Sequence, residues 1–306
     1  MLKEITSSQV ILDLLGKFRV SISSSKLYLP KDISRFVFLC GANKDINNIS
    51  ERRAALIDFS KNHIPHTHFF LAERMFATLK EEGDRKNLLD VENLISDFSD
   101  NIMIVLESPS AFTELGAFSH SALRNKLIVI NDAKFKSAPS FVNLGPLKAI
   151  ADSAGKDKII HYKMRSDGVE KRDAIGDTYA QIYDIFKEPV ATKKRAVKIE
   201  EVDPSKKFDK ISAMFIHDLL RLAGPLRHNE IIEILKQIFG ENERFNNVLH
   251  LLAILVSFGS IYRGPDKLYR SQMSSVYFQY KFDVSMFQAA FRNCLLRNYP
   301  ERLNAA

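Results

Sequence analysis

Glu114 is the side chain in this sequence best placed to do chemistry. An apolar run of strand length, Ile102–Leu106, comes before it, followed by a short Ser- and Pro-rich loop, Glu107–Thr113. The pattern then predicts a helix over 114–124 and a second strand over Leu127–Ile130. That is half of a parallel α/β unit. In open parallel sheets, ligands sit beyond the carboxyl ends of the strands, against helix N-termini. A carboxylate in the first turn of such a helix is favoured in its ionised form. Glu114 therefore faces a ligand, or serves only as a helix-dipole acid.

Other residues share that edge. Gly41, Ala42 and Asn43 follow the first strand, where a backbone loop meets a nucleotide, and Asn43 brings an amide. Glu73 follows the second strand and can face the crevice. Ser108, Ser110 and Thr113 offer hydroxyls to a ribose or phosphate, or else make a turn and a cap. Gly116 and Ala117 fall where a side chain would crowd the pocket floor. Asp132 ends the strand after Leu127 and belongs to the rim. Lys134 and Lys136 meet a phosphate or are simply solvated. His63, His66 and His68 are close in sequence, but a proline and a strand between them keep the rings from converging, so no metal site is expected.

The elements that must position these residues alternate. Strands are predicted at Arg35–Cys40, Thr67–Leu71, Ile102–Leu106, Leu127–Ile130 and Lys158–Tyr162. Helices are predicted from Ser50 to His63 and over Met75–Glu82, Leu88–Phe98 and Asp173–Phe186, and 132–145 reads as a polar loop. The fold class expected is α/β with a doubly wound parallel sheet. Residues 1–187 form this domain, beginning with a short amphipathic helix. The charged stretch 188–207 has two prolines and no apolar period, and reads as a linker.

Residues 208–306 change character. Helices are predicted at Ile211–Ala223, His228–Phe239 (with Asn229 as a possible cap) and Glu241–Phe258. Two short β-type runs flanking Gly264-Pro265-Asp266 follow. Three helices and a hairpin predict a small, mostly helical, winged-helix-like domain. Arg244, Arg263, Lys267 and Arg270 would then be available to phosphates, or the same face would dock protein. The charge supports a basic partner face here. Residues 206–306 hold 14 Lys or Arg against 9 Asp or Glu, whereas the remaining 205 hold 30 against 28.

No apolar run has transmembrane length and no signal-peptide pattern is present, so no membrane association and a cytoplasmic location are expected. Two cysteines, Cys40 and Cys294, in strand and helix contexts, fit a reducing compartment.

FTELGAFS, LIVINDAKFKS and SFVNLGP, together with VFLCG (37–41), AERMF (72–76) and VENLI (91–95), resemble the effector proteins of bacterial retrons. The group resembled carries an N-terminal domain like the nucleoside 2-deoxyribosyltransferases. The likeness spans roughly residues 35–150. It implies that Glu114 is the catalytic glutamate, stabilising or trapping the ribosyl cation as an N-glycosidic bond breaks. It also implies an acid near Glu92 that bonds the base or sugar. Base exchange needs a proton donor, for which Glu107 is the nearest candidate. NAD needs none, because nicotinamide leaves as a neutral molecule. The resemblance thus implies a toxic antiviral effector that hydrolyses NAD to nicotinamide and ADP-ribose, with NAD as substrate and no cofactor. A nucleoside or nucleotide deoxyribosyltransferase or deoxyribosidase, and a non-catalytic nucleotide sensor, stay open. The partners implied are the retron reverse transcriptase and its branched RNA–DNA product, msDNA. Homo-oligomer or filament assembly is left open.

Overall fold

The computed structural model describes residues 8–45, 48–64, 66–83, 87–120, 122–165, 173–188, 190–191 and 194–304. These residues divide into two compact units. One draws on 34–73 and 86–191, the other on 1–33, 74–85 and 192–306.

The chain enters the second unit through helix α1 (Gln9–Ser23) and strand β1 (Leu27–Leu29). It then builds the first unit around a five-stranded sheet. The strands are β2 (Arg35–Cys40), β3 (Thr67–Phe70), β4 (Asn101–Val105), β5 (Leu127–Asp132) and β6 (Ile159–Tyr162). The spatial order is β3-β2-β4-β5-β6 and every pair is parallel, with Val37 opposite Phe69, Cys40 opposite Ile104 and Val105 opposite Ile130. The order reverses between β2 and β4, which opens a crevice at their carboxyl ends.

These strands are apolar on both faces because helices cover both. On one side Leu39, Val105 and Ile130 join a core with Leu56 of α2 (Glu51–His63) and with Ile182 and Phe186 of α7 (Tyr179–Phe186). On the other, Phe38 stacks on Phe70 at 5.8 Å and meets Phe118 edge-on at 6.0 Å. Fully burying each such side chain contributes about 1.5–3 kcal/mol. Two further helices, α3 (Ala72–Glu81) and α4 (Leu88–Phe98), lie between β3 and β4 in the chain.

Several boundaries of the first unit depart from expectation. Helix α5 spans Pro109–Phe118, not 114–124. Ser108 caps it, its Oγ accepting from Ala111 N at 3.3 Å, and Pro109 occupies the first turn, where a missing N–H costs nothing. Ser-Pro is thus a helix start here, and Glu114 sits in the second turn. The loop expected over 132–145 is partly helical, with a wide π turn at Asn143–Leu147 running into α6 (Lys148–Ala154). The helix expected over 173–186 begins as a tighter 3-10 turn at Ile175–Thr178.

In the second unit β1 lies between β7 (Arg195–Ala196) and β10 (Gln279–Tyr280). Helices α8 (Lys210–Ala223), α9 (His228–Phe239) and α10 (Val248–Ser257) precede a hairpin of β8 (Ile261–Arg263) and β9 (Tyr269–Ser271), and α11 (Ser285–Asn298) follows. Arg227, not Asn229, is the N-cap position of α9, and α10 starts seven residues later than expected. Phe18 of α1 stacks on Phe287 of α11 at 4.9 Å, and residues 8–33 group with the C-terminal helices instead of the sheet. The stretch expected as a linker inserts Val197 and Val202, both fully buried, and forms a short helix at Ile199–Val202. His217, Asp218 and Ser271 form a hydrogen-bonded row, but both His217 and Asp218 are fully buried. Asp218 there anchors the backbone of Tyr277 and Phe278. No described helix is long and apolar enough to cross a membrane.

Candidate active site

Arg53 organises the crevice. It lies one turn into α2, whose N-terminus is fixed by Ser50 Oγ accepting from Arg53 N at 3.2 Å. Its guanidinium is 1% exposed and runs beneath the loop after β2. Nη1 and Nη2 donate to the two oxygens of Glu73 at 2.8 and 3.1 Å, Nη1 donates to Asn43 Oδ1 at 2.9 Å, and Nη2 donates to Leu39 O at 2.9 Å. This paired geometry is the strong form of the ion pair. Burial works against both charges, but the Arg53 contacts outweigh it for Glu73 and hold that carboxyl below its ordinary range.

Two more acids share this neighbourhood, with no ion pair of their own among the described residues. Burial pushes Glu114 up to about 8, with Glu92 adding to the rise and Arg53 only partly offsetting it. Burial pushes Glu92 up to about 7, with Glu73 contributing. Glu114 Oε2 is buried and has no hydrogen-bond partner. Near neutral pH Glu114 is mostly protonated and Glu92 partly so, beside a guanidinium whose two terminal nitrogens are engaged while its Nε has no partner among the described residues. Glu114 is therefore not held permanently ionised by a helix first turn. In the second turn the helix N-terminus is too distant to offset desolvation. The site can supply a carboxyl that donates a proton, and a carboxylate once a cation or a base draws that proton away.

Glu107 is not the proton donor that its sequence position suggested. Its Oε1 accepts from Ala42 N at 3.0 Å and Ser50 Oγ at 2.6 Å, and Oε2 accepts from Arg52 Nη1 at 2.9 Å. Arg52 also donates to Asp173 Oδ2 at 2.9 Å and to Arg165 O at 2.5 Å. The side chains of Arg52, Glu107 and Asp173 are 3% exposed or less. This is a structural lock across the switch point between β2 and β4.

The other expected residues fall in distinct places. A Cβ on Gly41 would sit 2.9 Å from both Arg53 Cδ and Glu107 Oε1, so the glycine lets those two side chains cross under the loop. Both backbone groups of Ala42 are engaged, the N–H by Glu107 and the carbonyl by Ser50 N. Asn43 and Glu73 converge on Arg53, whose charge also reaches Glu92 and Glu114. Ser108 and Ser110 share a hydrogen bond at the start of α5, and Thr113 donates to Pro109 O. Gly116 and Ala117 are exposed, and a Cβ on Gly116 would touch nothing, so neither forms a crowded floor.

Asp132 lines a different cleft, of about 320 Å³, with Arg52, Ser108, Phe112, Lys134 and Arg165. Phe112 and Glu114 project from different sides of α5, two residues apart at about 100° per residue. Lys134 is bound to Asp132 at 3.0 Å. Lys136 is exposed. His68 is half-buried, its Nε2 is 3.2 Å from Ser34 Oγ, and desolvation lowers it to about 4. Among the described residues no group of three His, Cys, Asp or Glu could hold a metal ion.

The expected phosphate contacts in the second unit are also rearranged. Arg263 donates to Glu82 at 2.5 Å and to Glu81 at 3.0 Å, and Arg270 grips Asp266 with two bonds, at 3.0 and 2.6 Å. Arg244 and Lys267 are exposed.

The profile of the family described as STM3845 retron effector protein matches residues 48–263. This chain belongs to that family. An Escherichia coli protein named "Retron Ec73 putative ribosyltransferase/DNA-binding protein" is 42% identical over 293 residues, which cover 94% of this effector and 92% of that protein. A second, named "Retron Ec86 putative ribosyltransferase/DNA-binding protein", also from Escherichia coli, is 38% identical over 130 residues, covering 42% and 41%. Glycosyl-transfer chemistry is compatible with the acid cluster of this retron effector. Arg53, absent from the expected site, is its central cation. Its sequence signal was slight, an arginine three residues after a predicted cap.

Proposed function

We propose that this effector breaks an N-glycosidic bond of a nucleotide, and that its substrate is NAD. One observation carries the reading. Glu92 and Glu114 lie partly buried in one neighbourhood, and the nearest cation, Arg53, is paired with Glu73 and only partly offsets their charge. A cationic N-ribosyl pyridinium supplies the missing positive charge. Its positive charge favours release of the Glu114 proton to solvent and leaves Glu114 ionised against the anomeric carbon.

The C1′–N bond then breaks, and its electron pair passes to the ring nitrogen. Neutral nicotinamide departs without needing a proton. Glu114 stabilises or traps the ribosyl cation, water adds at C1′, and the water's proton passes to the carboxylate pair before release to solvent. The products are nicotinamide, ADP-ribose and a proton. The strand order β3-β2-β4-β5-β6 supports a deoxyribosyltransferase-like catalytic unit. The α8–α10 helices with their hairpin support a winged-helix-like docking unit. As a retron effector, the protein would be governed by the reverse transcriptase and msDNA. The two relatives' names, which include DNA binding, support a nucleic-acid role for the second unit.

Deoxyribosyl transfer or hydrolysis on nucleosides is the second reading. Glu92, raised to about 7, favours it, since a neutral leaving base needs a proton donor. The test incubates the effector, alone and assembled with reverse transcriptase and msDNA, with NAD and separately with deoxynucleosides, and separates the products by chromatography. Free nicotinamide that is abolished in Glu114→Gln is the expected result. Intact NAD in every assembly, or undiminished release by Glu114→Gln, overturns the proposal. Free base from deoxynucleosides alone, lost in Glu92→Gln, selects the second reading. Calorimetric nucleotide binding without any product makes the site a sensor.

A further inference from the structure

Of the bases expected on the hairpin, Arg263 is tied to Glu81 and Glu82, whereas Arg270 lines a surface with arginines from outside the hairpin. Two adjoining depressions, of about 470 and 200 Å³, share Arg221, Gly224, Pro225 and Leu303. The larger adds Arg270, Arg302, Tyr262 and Gln272, and the smaller adds Arg292. Four arginines therefore line one continuous groove, and no carboxylate is among its lining residues.

The groove is built, not incidental. Arg270 is 7% exposed and fixed by Asp266, yet its Nε is buried and unpartnered. Arg302 is 4% exposed and gripped by Glu230 through two bonds, at 2.9 and 3.0 Å. Both guanidiniums are thus held in place by acids that lie outside the lining and offset their charge, so they shape the groove while Arg221 and Arg292 supply its free charge. Arg221 is anchored through Ser274 O, a neutral acceptor that leaves its charge uncompensated. Arg292 is exposed. Arg270 also sits 5.7 Å from the centroid of the Tyr262 ring, an aromatic surface beside the cations. Spaced guanidiniums flanked by an aromatic face suit successive phosphates and a stacked base better than a compact anion.

We propose that this groove, between the end of α8, strand β9 and α11, binds the phosphodiester backbone of a nucleic acid. The proposal rests on the nucleic-acid role suggested above for the second unit and gives it a location. It is independent of the N-glycosidic chemistry.

The test uses the full chain and fluorescence anisotropy with labelled single-stranded DNA and, in a parallel arm, single-stranded RNA, across a salt series. The variants are Arg221→Ala/Arg292→Ala, which alters two side chains that are not buried, and Arg244→Ala/Lys267→Ala as a control. Circular dichroism and melting verify that both remain folded. Loss of two phosphate contacts should weaken binding about 25-fold near 0.1 M salt and flatten the log–log salt slope by about 1.4. The control should bind like wild type, and the arm with the tighter wild-type binding identifies the natural backbone. Unchanged affinity and slope in the groove variant, with wild type binding, overturns the groove and leaves the nucleic-acid role standing. Absence of binding by wild type overturns both. A salt-insensitive complex, or loss confined to the control, equally overturns the groove.

Discussion

Replacing Glu114 by Gln should raise stability in alkaline solution while abolishing catalysis. The carboxyl lies at about 8 in the folded protein, against an ordinary value of 4.5. Between these values the folded state holds a proton that the unfolded state has released. Stability is therefore fully present below about pH 4.5 and is lost as pH rises through about 8. A tenfold change in proton affinity is worth about 1.4 kcal/mol, so the full displacement is on the order of 5 kcal/mol. Glu92 shares the same repulsion, and part of the site is open to water, so roughly 2–3 kcal/mol is the expected net effect. Glutamine keeps the shape and never ionises. The melting temperature of Glu114→Gln minus that of wild type should be near zero at about pH 4, widen through the window, and level off above about pH 8. At about 2–4 °C per kcal/mol for units of this size, the plateau is roughly 5–10 °C. Differential scanning calorimetry across that range measures it. A difference that stays constant with pH, or a variant less stable than wild type at about pH 9, refutes the partly buried and incompletely offset state of this acid.

Three other outcomes follow from the same geometry. For the free enzyme, kcat/KM should rise with pH through the coupled Glu92–Glu114 pair, between about 7 and 8, because ionisation generates the working carboxylate; a profile flat from pH 6 to about 9 would contradict it. Gly41→Ala should cost about 1–3 kcal/mol, since its methyl would press on Arg53 and Glu107 at 2.9 Å, and a urea titration reads the loss. Arg52→Ala should cost about 3–5 kcal/mol by stranding Glu107 and Asp173 in the interior, whereas Lys148→Ala, which breaks only an exposed pair, should cost less than about 1 kcal/mol; the same titration compares the two.

The apolar runs at 35–40, 102–106 and 127–130 pointed to the parallel α/β class by themselves, because a strand buried on both faces has to be largely apolar. The sequence also singled out Glu114 as an acid beyond the end of a buried strand. It misjudged where α5 begins. A serine and a proline serve a loop and a helix start equally well, and only packing of Ala111, Leu115 and Phe118 decides between them.

The state of that acid belonged to the tertiary structure. Arg53 meets Glu73 across 20 residues, Arg52 meets Asp173 across 121, and Arg263 meets Glu82 across 181. Each pairing removes a charge that local reading counts as available. Desolvation depends on everything packed around a group, so the chain could name its carboxylates, but only folding left two of them together beside an arginine already paired with Glu73, and one locked beneath a loop.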